Sequence, residues 1–178
     1  MAVFNAVFFD WGFLMRAVIQ RVAWAQVDVD GVRISRIEHG LLVLLGIARG
    51  DHSAMVNPFV EKLIHLRIFP NDEGRFDRSV RDVSGAILVV SQFTLLGDMR
   101  KGRRPNFQEA APPEEARKIY ESIIQEISNK GIETAGGIFQ SHMHVSSLND
   151  GPVTLILDLP ELQKTDPFEL LSSSNKQT

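Results

Sequence analysis

Two unbroken apolar runs constrain the fold most: Leu-Leu-Val-Leu-Leu-Gly-Ile at 41–47 and Ala-Ile-Leu-Val-Val at 86–90. Each has the length of a strand and is too short for a core helix. Neither alternates apolar with polar residues, as a strand with one wet face would. Both are therefore expected to be strands buried on both faces, so other elements must cover two sides of a sheet. Residues 15–22 and 25–28 read as further strands, with Val27 and Val29 alternating with polar neighbours. Asp30-Gly31, between Val29 and Val32, is a two-residue hairpin signal leading into a strand at 32–37.

Two amphipathic segments supply the cover. Val56, Phe59, Val60, Leu63 and Ile64 fall at helical spacing, with Glu61 and Lys62 on the other side. Asn57-Pro58 is expected as the N-cap and first residue of the helix's main body; if the helix instead starts near Ser53, Pro58 removes a hydrogen bond and bends it. The second helix opens at Pro112-Pro113-Glu114-Glu115, its acidic residues at the positive end. Its stripe is Ala116, Ile119, Tyr120, Ile123, Ile124 and Ile127, and Gly131 stands where a helix-ending glycine belongs. Pro70-Asn71-Asp72-Glu73-Gly74 is a turn, and 138–148 and 153–157 read as the last strands. Many strands with two helices set apart along the chain give the α+β class.

The chain has 178 residues, one domain's worth. Its net charge of −3 means that contact with a polyanion needs a local basic patch. Cysteine is absent, which excludes disulfides, thiol catalysis and thiolate-bound zinc and fits a reducing compartment. Residues 1–14 are apolar, but Asp10 interrupts them and the first basic residue is Arg16. The charged start of a secretory signal is missing, and the run is too short to span a bilayer as a helix. Residues 1–14 are expected to be an extension, or an upstream start unused in the cell, ahead of a domain at 15–159; the alternative is a targeting or surface-binding role. From 160 the chain turns polar and is expected to be a mobile tail to 178.

Chemistry-bearing residues gather beside apolar runs. Ser91-Gln92-Phe93-Thr94-Leu95 closes the run at 86–90, and Asn149-Asp150-Gly151-Pro152-Val153-Thr154 precedes Leu155-Ile156-Leu157. Hydroxyls at strand ends commonly satisfy nearby backbone groups and become nucleophiles only beside a base. His142 and His144 are the candidate bases, and no Gly-x-Ser-x-Gly elbow is present. Glycine allows close approach and proline fixes φ, which suits a pocket built from main-chain groups. On the residues alone, Gly151-Pro152 reads as a trans turn. Arg21, a lone charge in Val18-Ile19-Gln20-Arg21-Val22, reads as surface-facing. Arg100-Lys101-Gly102-Arg103-Arg104 is either a solvated loop or a phosphate contact. His142-Met143-His144 would put two imidazoles on one strand face, but no third ligand accompanies them, so no metal site is expected.

Together the segments at 91–95 and 149–154 resemble the paired signatures of the D-aminoacyl-tRNA deacylase family, and the resemblance runs from about Met15 to about Leu159. It implies hydrolysis of the ester joining a D-amino acid to tRNA, and of glycyl-tRNA mischarged on tRNA(Ala). It also implies a cytoplasmic homodimer without cofactor, metal or membrane partner, with mostly antiparallel strands in packed sheets and two main helices. Phe93 and Thr94 are the implied catalytic residues, their N–H groups meeting the substrate carbonyl in an oxyanion-hole-type role. In one version Thr94 is a nucleophile. In the other, preferred because no base for Thr94 is identifiable, the 2′-hydroxyl of the terminal adenosine does the work. Ser91, Gln92, Met143, Gly151 and Pro152 are implied to bind substrate. Gly151-Pro152 would be cis and would enter the partner subunit's pocket, where two carbonyls hold the α-ammonium and the backbone blocks an L side chain. Arg21, Asn149 and Thr154 would support that turn, and Arg100, Lys101, Arg103 and Arg104 would meet tRNA phosphates. Ser141 and His144 stand where alanine and glutamine are usual in the family, a departure that bears on the pocket's size and polarity. The alternatives are a non-catalytic nucleic-acid-binding module of the same fold and a hydroxyl-nucleophile hydrolase of another ester.

Overall fold

The computed structural model describes residues 13–160. The expected extension and tail lie outside these residues, except that positions 13 and 14 belong to the first strand and 160 to the last. The first strand, β1 (Phe13–Val29), is continuous where two strands were expected. It turns at Asp30-Gly31, with φ of 50° and 78°, into β2 (Val32–Ile37), followed by β3 (Gly40–Gly46). A 3-10 turn (Ser53–Met55) leads into α1 (Val56–Ile64). The α-helix starts between the two expected places: helical turn begins at Ser53, and Met55 is the N-cap of α1, which corrects the Asn57 cap and makes Pro58 the third helical residue. Its missing N–H breaks no α-helical bond there, because first-turn N–H groups have no intrahelical partner.

A small ribbon follows, β4 (Phe69–Pro70) and β5 (Phe76–Arg78), closed by the turn predicted at 70–74. Then come β6 (Ala86–Ser91), a 3-10 turn (Phe93–Leu96), α2 (Pro113–Asn129), β7 (Thr134–Gly136) and β8 (His144–Pro160). The end of α2 is as predicted. Gly131 has φ 81°, its N–H donates to the Ser128 carbonyl (2.9 Å), and Ile132 N–H donates to that of Ile127 (3.4 Å). These two bonds satisfy carbonyls the helix end would leave open.

The main sheet has six strands in the order β2-β1-β3-β6-β7, with β8 also on β1. The β3–β6 and β6–β7 pairs are parallel; β1 pairs antiparallel with β2, β3 and β8. One curled sheet and a two-stranded ribbon thus replace the packed sheets expected from sequence. The curl brings β2 up to β6 and β7, so the sheet nearly closes and covers its own inner face. Leu41, Val43, Leu45, Ile87 and Val89 join the core shared with α1 and α2. Leu42, Leu88 and Val90 join Val22, Ala25, Val27 and Ile37 on the inner face. Alternate residues therefore enter two different cores, which is why β3 and β6 are apolar without interruption. Each fully buried aliphatic side chain contributes roughly 1.5–3 kcal/mol, whereas an exposed ion pair contributes about 0–1 kcal/mol. These rows, rather than surface charge pairs, hold the sheet.

Candidate active site

The parallel pairing of β6 with β3 places Ser91 and the following turn at the C-terminal ends of two neighbouring strands. Gln92 N–H donates to the Leu45 carbonyl (2.8 Å), which fixes where the chain leaves the sheet. The 3-10 turn starts at Phe93, so the N–H groups of Phe93 and Thr94 belong to the donors that a helix start leaves open. Phe93 is 54% exposed and meets the Phe107 ring edge-on at 5.1 Å. The Thr94 hydroxyl is hydrogen-bonded to the Gln92 side-chain amide. An amide is not a base, so this contact does not activate Thr94 as a nucleophile.

Ser91, Gln92 and Phe93 line a cavity of about 790 Å³. Its other walls come from Phe107, from 110–113 and from 139–143, including Ser141, His142 and Met143. The 110–113 wall is docked by Ala111 N–H on the Ile47 carbonyl (3.0 Å) and Arg49 N–H on that of Glu109 (2.7 Å). The carboxyl of Asp51 accepts from Ala48 N–H (2.7 Å) in the same turn, and burial pushes its pKa up to about 6.

Residues 138–143, expected as strand, form a loop instead, and β8 begins only at His144. Side chains of α2 hold this loop. The Tyr120 hydroxyl donates to the carbonyl of Val89 (2.9 Å) or Gly137 (3.2 Å) and accepts from Gly137 N–H (3.0 Å). Arg117 lies over the Phe139 ring (4.9 Å) and donates to the Gln140 amide oxygen (3.2 Å), at a residue with φ 65°. Sequence reasoning counted Tyr120 as core and passed over Arg117 and Phe107. The available signal was a tyrosine in an otherwise aliphatic stripe, since a buried phenol needs a partner. His142 and His144 meet edge-on at 5.1 Å although only His144 is in a strand. Among the described residues no third metal-ligating side chain joins them.

The cavity gathers Ser91, Gln92, Phe93 and Met143, but not Thr94, Gly151 or Pro152. The last two sit inside β8, on a bulge rather than a turn between two strands. Asn149 pairs with Val22 and Thr154 with Gln20, so the four residues between them oppose Arg21 alone. The Gly151–Pro152 bond is cis, Gly151 has φ 140°, and both residues are exposed. Asn149 spans the base of the bulge: its Oδ1 accepts from Val153 N–H (2.7 Å), and its Nδ2 donates to Thr154 Oγ1 (3.0 Å).

Arg21 is not surface-facing. It continues the row of Met15, Ala17 and Ile19 on the helix side of β1 and is only 7% exposed. Its Nη1 donates to the Ile68 carbonyl (2.7 Å) and its Nε to that of Asp150 (3.0 Å), with the Asp150 carboxylate at 3.2 Å. A buried guanidinium needs such partners, and here they tie the bulge to the body of the protein.

Arg100, Lys101, Arg103 and Arg104 are exposed on a loop pinched by reciprocal backbone bonds between Asp98 and Asn106 (2.7 and 2.9 Å). Arg100 is engaged by Asp98, whose carboxyl it holds down at about 2 through hydrogen bonds. No helix among the described residues is long and apolar enough to cross a membrane.

The chain is thus an α+β domain with a cavity opening at a strand end, walled by a turn with open N–H groups. Residues 18–158 match the family described as D-Tyr-tRNA(Tyr) deacylase. The D-aminoacyl-tRNA deacylase of Pelobacter propionicus is 53% identical over 81% of this chain and 99% of its own length. That of Thermosipho africanus is 50% identical over 81% and 97%. Among solved structures, the c-Myc DNA unwinding element binding protein superposes with a TM-score of 0.76 at 39% identity, covering 82% of this chain and 99% of that one. A probable eukaryotic D-amino acid tRNA deacylase shares the fold, with a TM-score of 0.73 at 17% identity over 82% and 99%. The chain belongs to the D-Tyr-tRNA(Tyr) deacylase family and is an enzyme of the D-aminoacyl-tRNA deacylase type. The resemblance carried by the two signature segments is borne out.

Proposed function

We propose that the protein hydrolyses the ester of D-aminoacyl-tRNA, and of glycyl-tRNA mischarged on tRNA(Ala), and rejects L-aminoacyl-tRNA through backbone atoms of Gly151-Pro152. The acyl carbon–oxygen bond breaks, water is consumed, and free amino acid and tRNA leave. The carbonyl is polarised by the N–H groups of Phe93 and Thr94, and the 2′-hydroxyl of the terminal adenosine serves the attack. Support for this division of labour comes from Thr94, whose hydroxyl meets an amide and no base. Ser91, Gln92 and Met143 line the cavity, and in this reading they receive the amino acid. Arg103 and Arg104, with Arg100 and Lys101, meet phosphates rather than bases. Such an enzyme works where aminoacyl-tRNA is made, in the cytoplasm, and a chain without cysteine suits that reducing compartment.

One observation carries the proposal: Gly151 and Pro152 stand exposed on a firmly anchored bulge, yet line no part of this chain's own cavity. They complete a site if the bulge enters the cavity of a second copy. Exposed Leu148, Leu155 and Ile156 flank the bulge and supply apolar surface for that contact.

Deacylation of matched D- and L-aminoacyl-tRNA is the direct test, with turnover of D alone expected. Turnover of both, or of neither with tRNA still bound, would refute the chiral assignment. Thr94→Ala should retain appreciable activity, while a terminal 2′-deoxyadenosine should cost far more; complete loss in a folded, tRNA-binding Thr94→Ala would restore Thr94 as nucleophile. In mixed dimers of a Gly151 variant with a Phe93 variant, composite sites leave about half the activity at saturation, because one pocket collects both defects. Activity near zero would assign each site to a single chain.

A further inference from the structure

We infer that Phe76, on the β4–β5 ribbon, is a positioning residue for the Gly151-Pro152 bulge and acts through Arg21. The inference rests on the bulge being the chiral element of the proposed deacylase. Phe76 is 56% exposed, sits on a strand of three residues and takes no place in either core. Its ring centroid lies 5.6 Å from Arg21 Cζ. The segment entering the ribbon holds the same guanidinium from another side, through the Ile68 carbonyl at 2.7 Å.

From there the contact runs straight to the bulge. Arg21 Nε reaches both the carbonyl (3.0 Å) and the carboxylate (3.2 Å) of Asp150. A Cβ placed on Gly151 would fall 3.1 Å from Arg21 Nη2, so the guanidinium packs against the glycine itself. The hydrogen bonds fix where the guanidinium nitrogens lie, and the ring covers one face and opposes its tilting. A tilt of this group moves Asp150 and with it Gly151. Discrimination by backbone atoms depends on their placement to a fraction of an ångström, so a half-exposed ring becomes a specificity determinant without touching substrate.

The test compares Phe76→Ala, Phe76→Tyr and Phe76→Leu in two readouts: the D-over-L ratio of kcat/KM, and amide exchange at Val153, whose N–H closes the bulge on Asn149 (2.7 Å). Phe76→Ala should lower the ratio about two- to five-fold, the scale of an exposed cation–π contact, and quicken Val153 exchange. Phe76→Tyr should restore both and Phe76→Leu neither, with the melting temperature lowered by no more than about 1–4 °C in any of the three. Either readout left at the wild-type value in Phe76→Ala, or restoration by Phe76→Leu, overturns the inference. Gly151→Ala in the same assay separates the levels. If it shifts the ratio and Phe76→Ala does not, the role of Phe76 alone has failed. If neither shifts it, the chiral role of the bulge has failed and this inference with it.

Discussion

Tyr120→Phe isolates one oxygen atom beside the pocket. The ring stays in the core and only the hydroxyl leaves. That hydroxyl donates to the carbonyl of Val89 (2.9 Å) or Gly137 (3.2 Å) and accepts from Gly137 N–H (3.0 Å). Without it, Gly137 N–H keeps the Val89 carbonyl at 3.1 Å, so neither of those groups is stranded. The Gly137 carbonyl loses its donor in a half-buried place. One lost net hydrogen bond costs about 0.5–1.5 kcal/mol, and a deserted, partly wet carbonyl adds about 1 kcal/mol or less. The expected destabilisation is therefore about 1–2 kcal/mol, lowering Tm by roughly 2–8 °C for a chain of this size. Burial holds the phenol pKa at about 12, so the hydroxyl stays protonated and the cost should be the same from about pH 6 to about pH 9. Because Gly137 leads into the segment carrying Met143, KM for D-aminoacyl-tRNA should rise more than kcat falls. Urea unfolding and steady-state deacylation measure both effects. A cost below about 0.5 kcal/mol, the size of an ordinary surface change, would refute the assignment of Tyr120 as the tie between α2, β6 and the pocket loop.

Gly151→Ala places a Cβ 2.7 Å from Val153 Cγ2 and 3.0 Å from Val153 N, at φ 140°. Strain of about 1–3 kcal/mol is expected, with lower Tm and weaker D-substrate binding; wild-type values in melting and kinetics would contradict it. Asp51 has a folded pKa of about 6 against 3.8 in its ordinary state, because burial disfavours the charge. The folded protein therefore holds that proton more tightly, and this group's contribution to stability falls as pH rises from about 4 to about 6 and is flat above. Asp51→Asn should remove that slope in a urea-unfolding pH series, and an unchanged slope would remove Asp51 as its source. Neutralising Arg103 and Arg104 together should weaken binding of many tRNAs alike and reduce the slope of log affinity against log salt by about 1.4–1.8. An unchanged slope in a filter-binding titration would return the loop to plain solvation.

The parts of the fold legible in the sequence were those whose cause is local. The apolar rows of β3 and β6, the Asp30-Gly31 turn and the ends of α2 each follow from burial or backbone preference within a few residues. Parallel pairing of β3 with β6 was not legible, since a doubly buried run has the same composition in either direction. The three residues of β7 are too few to establish a period, and residues 138–143 were read as strand together with the strand-like stretch around Val145 that follows them. What bends them into a loop is Tyr120 and Arg117, distant in sequence. Arg21 shows the same limit at the candidate site. A lone arginine in an apolar strand reads as exposed until carbonyls some 50 and 130 residues away are known to face it. The signature segments were visible as polar strand ends, but the division of a site between a cavity and a distant bulge is a property of three dimensions.

The pairing of β1 with β8 joins the two ends of the described chain, from position 13 against 160 to Asp28 against His144. On the ribosome β1 emerges first of the described strands and its partner last. Until then one side of a 17-residue strand offers unmatched N–H and C=O groups to any other extended peptide. Arg21 meanwhile has the Ile68 carbonyl to hold, but no Asp150. A chain stopped short of His144 would carry the complete Ser91-to-Thr94 segment beside a sticky, unfinished sheet. Release of the last strand seals that edge and seats the bulge against Arg21 in the same motion, so protection from aggregation and assembly of the specificity element arrive together.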